Sequence, residues 1–213
     1  MVRDNGAMRI FGKRQIAVAL LLVSLAGVRA IVAQETIVAI RHAEKPPGGL
    51  GQLTCRGLNR ALALPQLLLR RYGKPVAIFA PDPAVQVNDR SQNLYSYVRP
   101  LITIEPTAIF LGMPVNAQIG FTDIARLQAE VTVPAYSNAT IYVAWEHLKL
   151  NDFAVQMLRA YGGDPAKVPD WPNTDYDRIY VFKIADEHGK PAITFHMDQE
   201  GLNNSLSDSC PGQ

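Results

Sequence analysis

The sequence predicts an α/β fold: a three-layer sandwich around a mostly parallel central sheet, with a C-terminal β-hairpin. Short, apolar runs rich in β-branched residues alternate with helical patterns. Three of these runs predict buried strands: T-I-V-A-I at 36–40, V-A-I-F-A at 76–80 and T-I-Y-V-A-W at 140–145. Two further runs, at 178–184 and 191–197, flank the turn segment A-D-E-H-G-K and predict the hairpin.

A helix is predicted after the first strand and its Pro- and Gly-rich loop. Thr54 is a suitable N-cap, apolar residues follow at mostly helical spacing from Leu58 to Leu69, and Gly73 is a suitable end. Pro65 lies inside this pattern. Because proline lacks an N–H and clashes with the preceding turn, we expect a kink or a break there.

The rest of the chain contains further helices and two loops. Proline is favoured in the first turn of a helix, so the second helix is expected to begin at Arg99 and Pro100. The expected elements are a polar loop at 84–93, a helix over 99–112, an extended piece near 114–115, a helix over 123–131, a helix after residue 147 and a surface loop at 163–177.

Residues 1–30 are expected to be a cleavable signal peptide. Four basic residues precede an uncharged run at 16–28, which ends at the small residues of a candidate cleavage site. The run is shorter than the roughly 20 apolar residues of a comfortable transmembrane helix, and an uncleaved anchor is the alternative. We therefore expect an exported chain, secreted or periplasmic, with a single domain at 31–213.

The charge of the predicted domain excludes one class of partner. The leader carries five of the 21 basic residues and one of the 19 acidic ones, so residues 31–213 have a formal net charge of −2. A protein that tracks nucleic-acid phosphates needs a clustered excess of Lys and Arg. We expect no nucleic-acid partner and, once the leader is removed, no membrane association; the oligomeric state stays open.

The predicted domain contains both cysteines of the chain. In an oxidising compartment, Cys55 and Cys210 are expected to form a disulfide that joins the tail to the first helix. Two unpaired thiols are the alternative.

Two strands deliver a histidine to the same edge of the predicted sheet. Arg41 and His42 follow the first strand, and Glu146 and His147 follow a later one. Ligands of open α/β sheets bind at the carboxyl ends of the strands. His188 in the turn and His196 within a strand lie elsewhere, and we interpret both as structural.

These residue types suit phosphoryl transfer. Neutral imidazole can attack phosphorus, and the guanidinium groups of Arg41 and Arg99 match phosphate oxygens. No metal or other cofactor is needed, because the reaction depends mostly on positioning and electrostatic stabilisation. A carboxylic acid is still required to protonate the leaving oxygen, and the candidates are Glu146, Asp123 and Glu44.

The motifs resemble those of the histidine phosphatase superfamily, which has the phosphoglycerate-mutase-like fold. The resemblance rests on R-H-A-E-K at 41–45, L-T-C-R-G-L-N-R-A at 53–61, Arg99 with Thr103, and a second histidine after a late strand. It implies that His42 is the phosphorylated nucleophile, that Arg41 and Arg99 bind the phosphate, and that His147 contacts the transferring group. Arg90 is the alternative second arginine.

The chain also departs from that pattern. Ala43 stands where many members have glycine, Glu146 where many have a small residue, and Leu148 follows a histidine that another branch follows with aspartate. The motif therefore does not identify the proton donor, and Glu146 and Asp123 remain equal candidates.

The sequence thus predicts an exported phosphatase that hydrolyses small-molecule phosphomonoesters through a phosphohistidine at His42. A non-catalytic module that binds phosphate or a phospho-ligand is the alternative, and a phosphomutase is a weaker one. A metal site at His42, His147, Glu44 and Glu146 lacks the usual ligand spacing. Lys45 is interpreted as a solvated loop charge rather than a phosphate contact.

Overall fold

The computed structural model describes Met1 and residues 34–88, 93–187 and 189–212. Apart from Met1, the predicted signal peptide lies outside these residues, as do Arg90 and His188. The strands are β1 Gln34–Arg41, β2 Ala77–Pro81, β3 Gln86–Val87, β4 Tyr95–Ser96, β5 Asn116–Ile119, β6 Thr140–Trp145, β7 Arg178–Glu187 and β8 Lys190–Gln199. The α-helices are α1 Cys55–Tyr72, α2 Arg99–Leu111, α3 Ile124–Val131 and α4 His147–Ala160, with short 3₁₀ turns at Pro134–Tyr136 and Pro165–Lys167.

The main sheet has the strand order β5-β2-β6-β1-β7-β8. Strands β5, β2, β6 and β1 are parallel, whereas β7 and β8 form the antiparallel hairpin at the other edge. Strand β1 lies inside the sheet, and residues 37–41 are all buried. The predicted mostly parallel sheet with a terminal hairpin is confirmed.

Helices cover both faces of this sheet, because successive side chains of a buried strand point to opposite faces. Ile37 and Ala39 pack in the core on the side of α3 and α4, and Val38 and Ile40 pack in the core on the side of α1 and α2. This is the predicted three-layer arrangement.

Helix α1 begins and ends where the sequence indicates. The Thr54 hydroxyl accepts a hydrogen bond from the backbone N–H of Gly57, and Gly73 follows the last turn with a φ of 76°. The expected break at Pro65 is wrong, since the helix continues through this residue to Tyr72. Pro65 is buried, and packing of the helix against the sheet outweighs the one hydrogen bond that proline removes.

Three other expectations need correction. The polar loop at 84–93 contains strand β3, which pairs with β4 in a small antiparallel ribbon. The extended piece lies at Asn116–Ile119 rather than near residue 114. The surface loop at 163–177 is not wholly exposed, because Trp171 and Asp177 are 4% and 5% exposed.

The C-terminal tail lies along the first turns of α1, and a disulfide joins Cys55 to Cys210. Asn59 donates hydrogen bonds to the carbonyl oxygens of Ser207 and Ser209, and Arg56 donates one to that of Leu206. The tail is thus held by polar contacts and one covalent link. In the part of the chain that the structure describes, every helix is too short or too polar to cross a bilayer.

Candidate active site

The pairing of β1 with β6 brings the two sequence-predicted histidines together. Arg41 lies opposite Trp145 in the parallel register, and the backbone N–H of His42 donates to the Trp145 carbonyl over 2.9 Å. His42 therefore continues the ladder by one residue, beside the point where Glu146 and His147 begin α4. Both histidines lie at the carboxyl edge of adjacent parallel strands.

A cavity of about 290 Å³ opens at this edge. Its charged and imidazole groups are three bases, two histidines and one acid, and its other walls are mostly apolar or aromatic. The lining residues are Arg41, His42, Lys45, Pro47, Val87, Asn88, Tyr97, Arg99, Phe121, Glu146, His147 and Asn173. The excess of positive groups suits a small dianion.

His42 is held as a neutral ring with one nitrogen available to the cavity. Its side chain is buried, and Nδ1 lies 2.8 Å from the carbonyl oxygen of Ala43, which can only accept a hydrogen bond, so Nδ1 carries the ring proton. Burial, together with the positive charges of Arg99 and Arg41, lowers the pKa of His42 well below the usual 6.5. Nε2 therefore carries the free lone pair.

Thr103 fixes the residue that follows the nucleophile. Its hydroxyl oxygen accepts from the backbone N–H of Ala43 over 2.9 Å and donates to the Arg99 carbonyl over 2.8 Å. This buried hydroxyl connects the His42 loop to the first turn of α2. The same turn presents Arg99, which is 3% exposed, with its guanidinium 4.7 Å from the ring centroid of Tyr97.

Arg41 is fixed by the loop between α4 and β7. Its Nη1 donates to the carbonyl oxygens of Asn173 and Asp175 over 2.9 and 2.8 Å, with a longer bond to that of Pro172 at 3.3 Å. The ring centroid of Tyr176 lies 3.9 Å from its Cζ, a cation–π distance. With Nη1 occupied and Nε buried, Nη2 is the donor left for a ligand.

Glu146 and His147 form a close acid–imidazole pair. Oε1 of Glu146 lies 2.5 Å from Nδ1 of His147, and its Oε2 accepts from the backbone N–H of Lys149 at the start of α4. Burial alone would raise the pKa of Glu146, but the hydrogen bond and charge of His147 and the backbone N–H groups lower it. On the other side of the ring, Nε2 lies 2.8 Å from Oδ1 of Asn173.

The other two candidate acids lie outside the cavity. Asp123 is exposed at the start of α3, where its side chain accepts from the backbone N–H of Arg126 as an N-cap. Glu44 turns away from the cavity and pairs with Arg60 on α1. Asp123 is thus a helix cap outside the cavity lining, and Glu146 is the candidate acid that lines the cavity.

Several site residues carry no recognisable sequence signal. Asn173 and Tyr176 belong to the segment interpreted as a surface loop, and their contacts with His147 and Arg41 cross more than 25 residues of sequence. Tyr97 precedes α2, and its ring centroid is 6.3 Å from that of His42 in an edge-on arrangement. Lys45 is half-buried and also lines the cavity.

The described residues contain no group of three His, Cys, Asp or Glu side chains that could hold a metal ion. His196, the remaining described histidine, lies on β8 with Nε2 3.7 Å from Oδ2 of Asp198.

Comparisons with known proteins give a match in structure. No family model matches the sequence, and no curated protein matches it. The fold is similar to a structure described as a phosphohistidine phosphatase, SixA, from Nakamurella multipartitia, with a TM-score of 0.52 and 16% identity over 78% of this chain and 96% of that one. A mutant phosphoserine phosphatase from Entamoeba histolytica, in complex with phosphoserine, matches with a TM-score of 0.48 and 15% identity over 80% and 99% of the two chains. From the first of these matches and its own sheet order, this chain has the histidine phosphatase fold.

Proposed function

We propose that this protein hydrolyses small phosphomonoesters through a phosphohistidine intermediate on His42. The observation that carries the proposal is the buried, neutral ring of His42, which lines a cavity together with two arginines and whose Nδ1 is held by the Ala43 carbonyl. A neutral imidazole nitrogen in a positively charged pocket is the nucleophile that phosphoryl transfer requires. The phosphohistidine phosphatase described from Nakamurella multipartitia, which shares the fold, supports this chemistry.

The two arginines bind the phosphoryl group and stabilise its developing charge. Arg41 offers Nη2, and Arg99 lines the neighbouring wall. Both guanidinium groups are already buried and oriented, so little reorganisation is needed as the transition state forms. The aromatic and apolar walls, including Tyr97 and Phe121, contact the part of the ester that leaves.

In the first step, the lone pair on Nε2 of His42 forms a bond to phosphorus as the bond from phosphorus to the ester oxygen breaks. The leaving oxygen takes a proton from the Glu146–His147 pair, in which Oε1 and Nδ1 are 2.5 Å apart. Because the pKa of Glu146 is lowered, this proton lies on Nδ1 of His147 beside an ionised carboxylate, and its departure leaves a neutral imidazole whose Nε2–H stays bonded to Asn173.

In the second step, water attacks the phosphohistidine. Its proton passes back to the same pair, the bond from nitrogen to phosphorus breaks, and phosphate leaves. The sum is one ester and one water converted to one alcohol and one phosphate. Nδ1 of His42 keeps its proton throughout, because Ala43 holds it.

The first prediction concerns the nucleophile. The purified domain should hydrolyse an aryl phosphate such as 4-nitrophenyl phosphate, and His42→Ala should reduce kcat/KM at least about a thousandfold, because no other group can take over the covalent step. His196→Ala is the matched control: it removes a histidine on β8, outside the cavity lining, and should leave the rate unchanged.

Two results would contradict the proposal. Full activity in His42→Ala would rule out a phosphohistidine intermediate on His42. Tight binding of phosphate or vanadate without turnover, across a panel of esters and pH values, would favour the non-catalytic binding module instead.

The second prediction concerns pH. Because the pKa of His42 is lowered, its protonation begins only well below pH 6.5, and the acidic limb of the rate profile shifts the same way. After correction for ionisation of the substrate, kcat/KM should therefore not fall as the pH drops through 6.5. A fall with its midpoint near pH 6.5 would show an ordinary, solvated histidine.

We also propose that the protein is exported to a secreted or periplasmic location. The support is the composition of residues 1–30 and the disulfide between Cys55 and Cys210, a bond typical of oxidising compartments.

The proposed export can be tested by measuring the intact mass of the protein and counting its reactive thiols. Protein recovered from the exported fraction should begin near residue 31 and show no reactive thiol when denatured without reductant. An intact Met1 would contradict cleavage, and two reactive thiols would contradict the disulfide.

A further inference from the structure

Arg60 of α1 forms the largest ion-pair cluster among the described residues, and it lies outside the catalytic cavity. Its side chain is 0% exposed, and its guanidinium binds groups from three separate segments. The contacts are to Glu44 at 2.9 and 2.8 Å, to Asp177 at 3.2 Å, to Glu200, and to Asn203 at 2.7 Å. One buried cation thus holds three carboxylates and one amide.

The first segment carries the nucleophile. Glu44 comes two residues after His42 and accepts two donors of Arg60 in bidentate fashion. The Glu44 carbonyl also accepts from the backbone N–H of Thr54 over 2.8 Å. Gly57 lies so close that a Cβ there would be 2.5 Å from the same carbonyl oxygen. The end of the His42 loop is therefore fixed against α1.

The second segment carries the groups that orient Arg41. Asp177 follows Asp175 and Tyr176, whose carbonyl oxygen and ring, respectively, contact the Arg41 guanidinium. The Asp177 carboxylate accepts from Arg60 and from the backbone N–H groups of the tail at residues 201 and 202. The backbone N–H of Asp177 in turn donates to the Asp175 side chain over 3.0 Å.

We infer that Arg60 is a positioning residue, which sets the separation between the nucleophile His42 and the phosphate-binding group Arg41. The guanidinium is a rigid planar fork, so the two loops that it binds cannot shift independently without breaking charge-assisted bonds. Arg60 touches no substrate and acts only through these loops. The inference rests on the proposed phosphatase reaction.

The C-terminal tail supplies the last two partners of Arg60 and helps to exclude solvent from the cluster. Glu200 is 2% exposed, and Asn203 covers the remaining donor of Arg60. Burial raises the pKa of Glu200 to about 8, despite the opposing charge of Arg60.

The test compares two changes to the same guanidinium. Glu44→Gln places an amide N–H₂ against an Arg60 donor and loosens the loop of His42, whereas Asn203→Ala removes one bond on the side of the tail. We expect Glu44→Gln to lower kcat by about 10- to 100-fold, since a displacement near 1 Å can cost about 10²-fold. KM should change by less than about threefold, and Asn203→Ala should keep kcat within about twofold.

A second readout does not depend on turnover. In the parent protein, the Nδ1–H of His42, bonded to Ala43, should give an imidazole proton resonance protected from exchange with water. Glu44→Gln should broaden or lose this resonance while the rest of the spectrum stays native. Asn203→Ala and Arg126→Gln, which removes an arginine paired with Glu130 on α3, should keep it.

The outcomes distinguish the positioning role of Arg60 from the proposed phosphatase function. A lower kcat together with loss of the His42 resonance in Glu44→Gln, at temperatures well below unfolding, supports the positioning role. Equal behaviour of Glu44→Gln and Asn203→Ala in both readouts overturns it and leaves Arg60 a purely structural group. If the parent hydrolyses no ester, the proposed function fails, and a resonance that survives in Glu44→Gln would overturn the positioning role as well.

Discussion

The parallel pairing of β1 with β6 is the constraint on which the site depends. Because Arg41 lies opposite Trp145, the next residue of each strand falls at the same height, and His42 and Glu146 leave the sheet side by side. A shift of one residue in this register would exchange the faces of every side chain in β1 and move His42 away from the cavity. The buried, alternating residues of β1 specify that register, since they pack in two separate cores.

The site also has to stabilise buried, positively charged side chains. Removing an ion from water costs several kcal/mol, and a hydrogen bond to a charged group returns about 1.5–3 kcal/mol. Arg41 recovers part of this cost through backbone carbonyl oxygens and the ring of Tyr176. Carbonyl groups hold the arginine without neutralising it, so its full charge remains for a phosphate. The same charge, with that of Arg99, lowers the pKa of His42 and keeps it nucleophilic.

Much of the fold could be predicted from the sequence, because its signals are local. Strand β6 has the predicted bounds, and the caps Thr54 and Gly73 limit α1 as expected. The conformation of the loop at 163–177 could not be predicted, because it binds Arg41 through backbone carbonyls that any residue possesses. The choice between Glu146 and Asp123 required the geometry of two turns, which the motifs do not fix. The role of Arg60 could not be predicted either, since its partners Glu200 and Asn203 are about 140 residues away in the sequence.

In the proposed reaction, the phosphoryl group is bonded to Nε2 of His42 before water releases it. The most direct measurement is rapid quenching during turnover of a 4-nitrophenyl phosphate solution, followed by mass spectrometry of peptides kept at alkaline pH, at which phosphohistidine survives. We expect one phosphoryl group per chain, located on His42, which forms and decays at rates that match turnover. Hydrolysis without any phosphoryl group on this residue, or with one on another side chain, would contradict it.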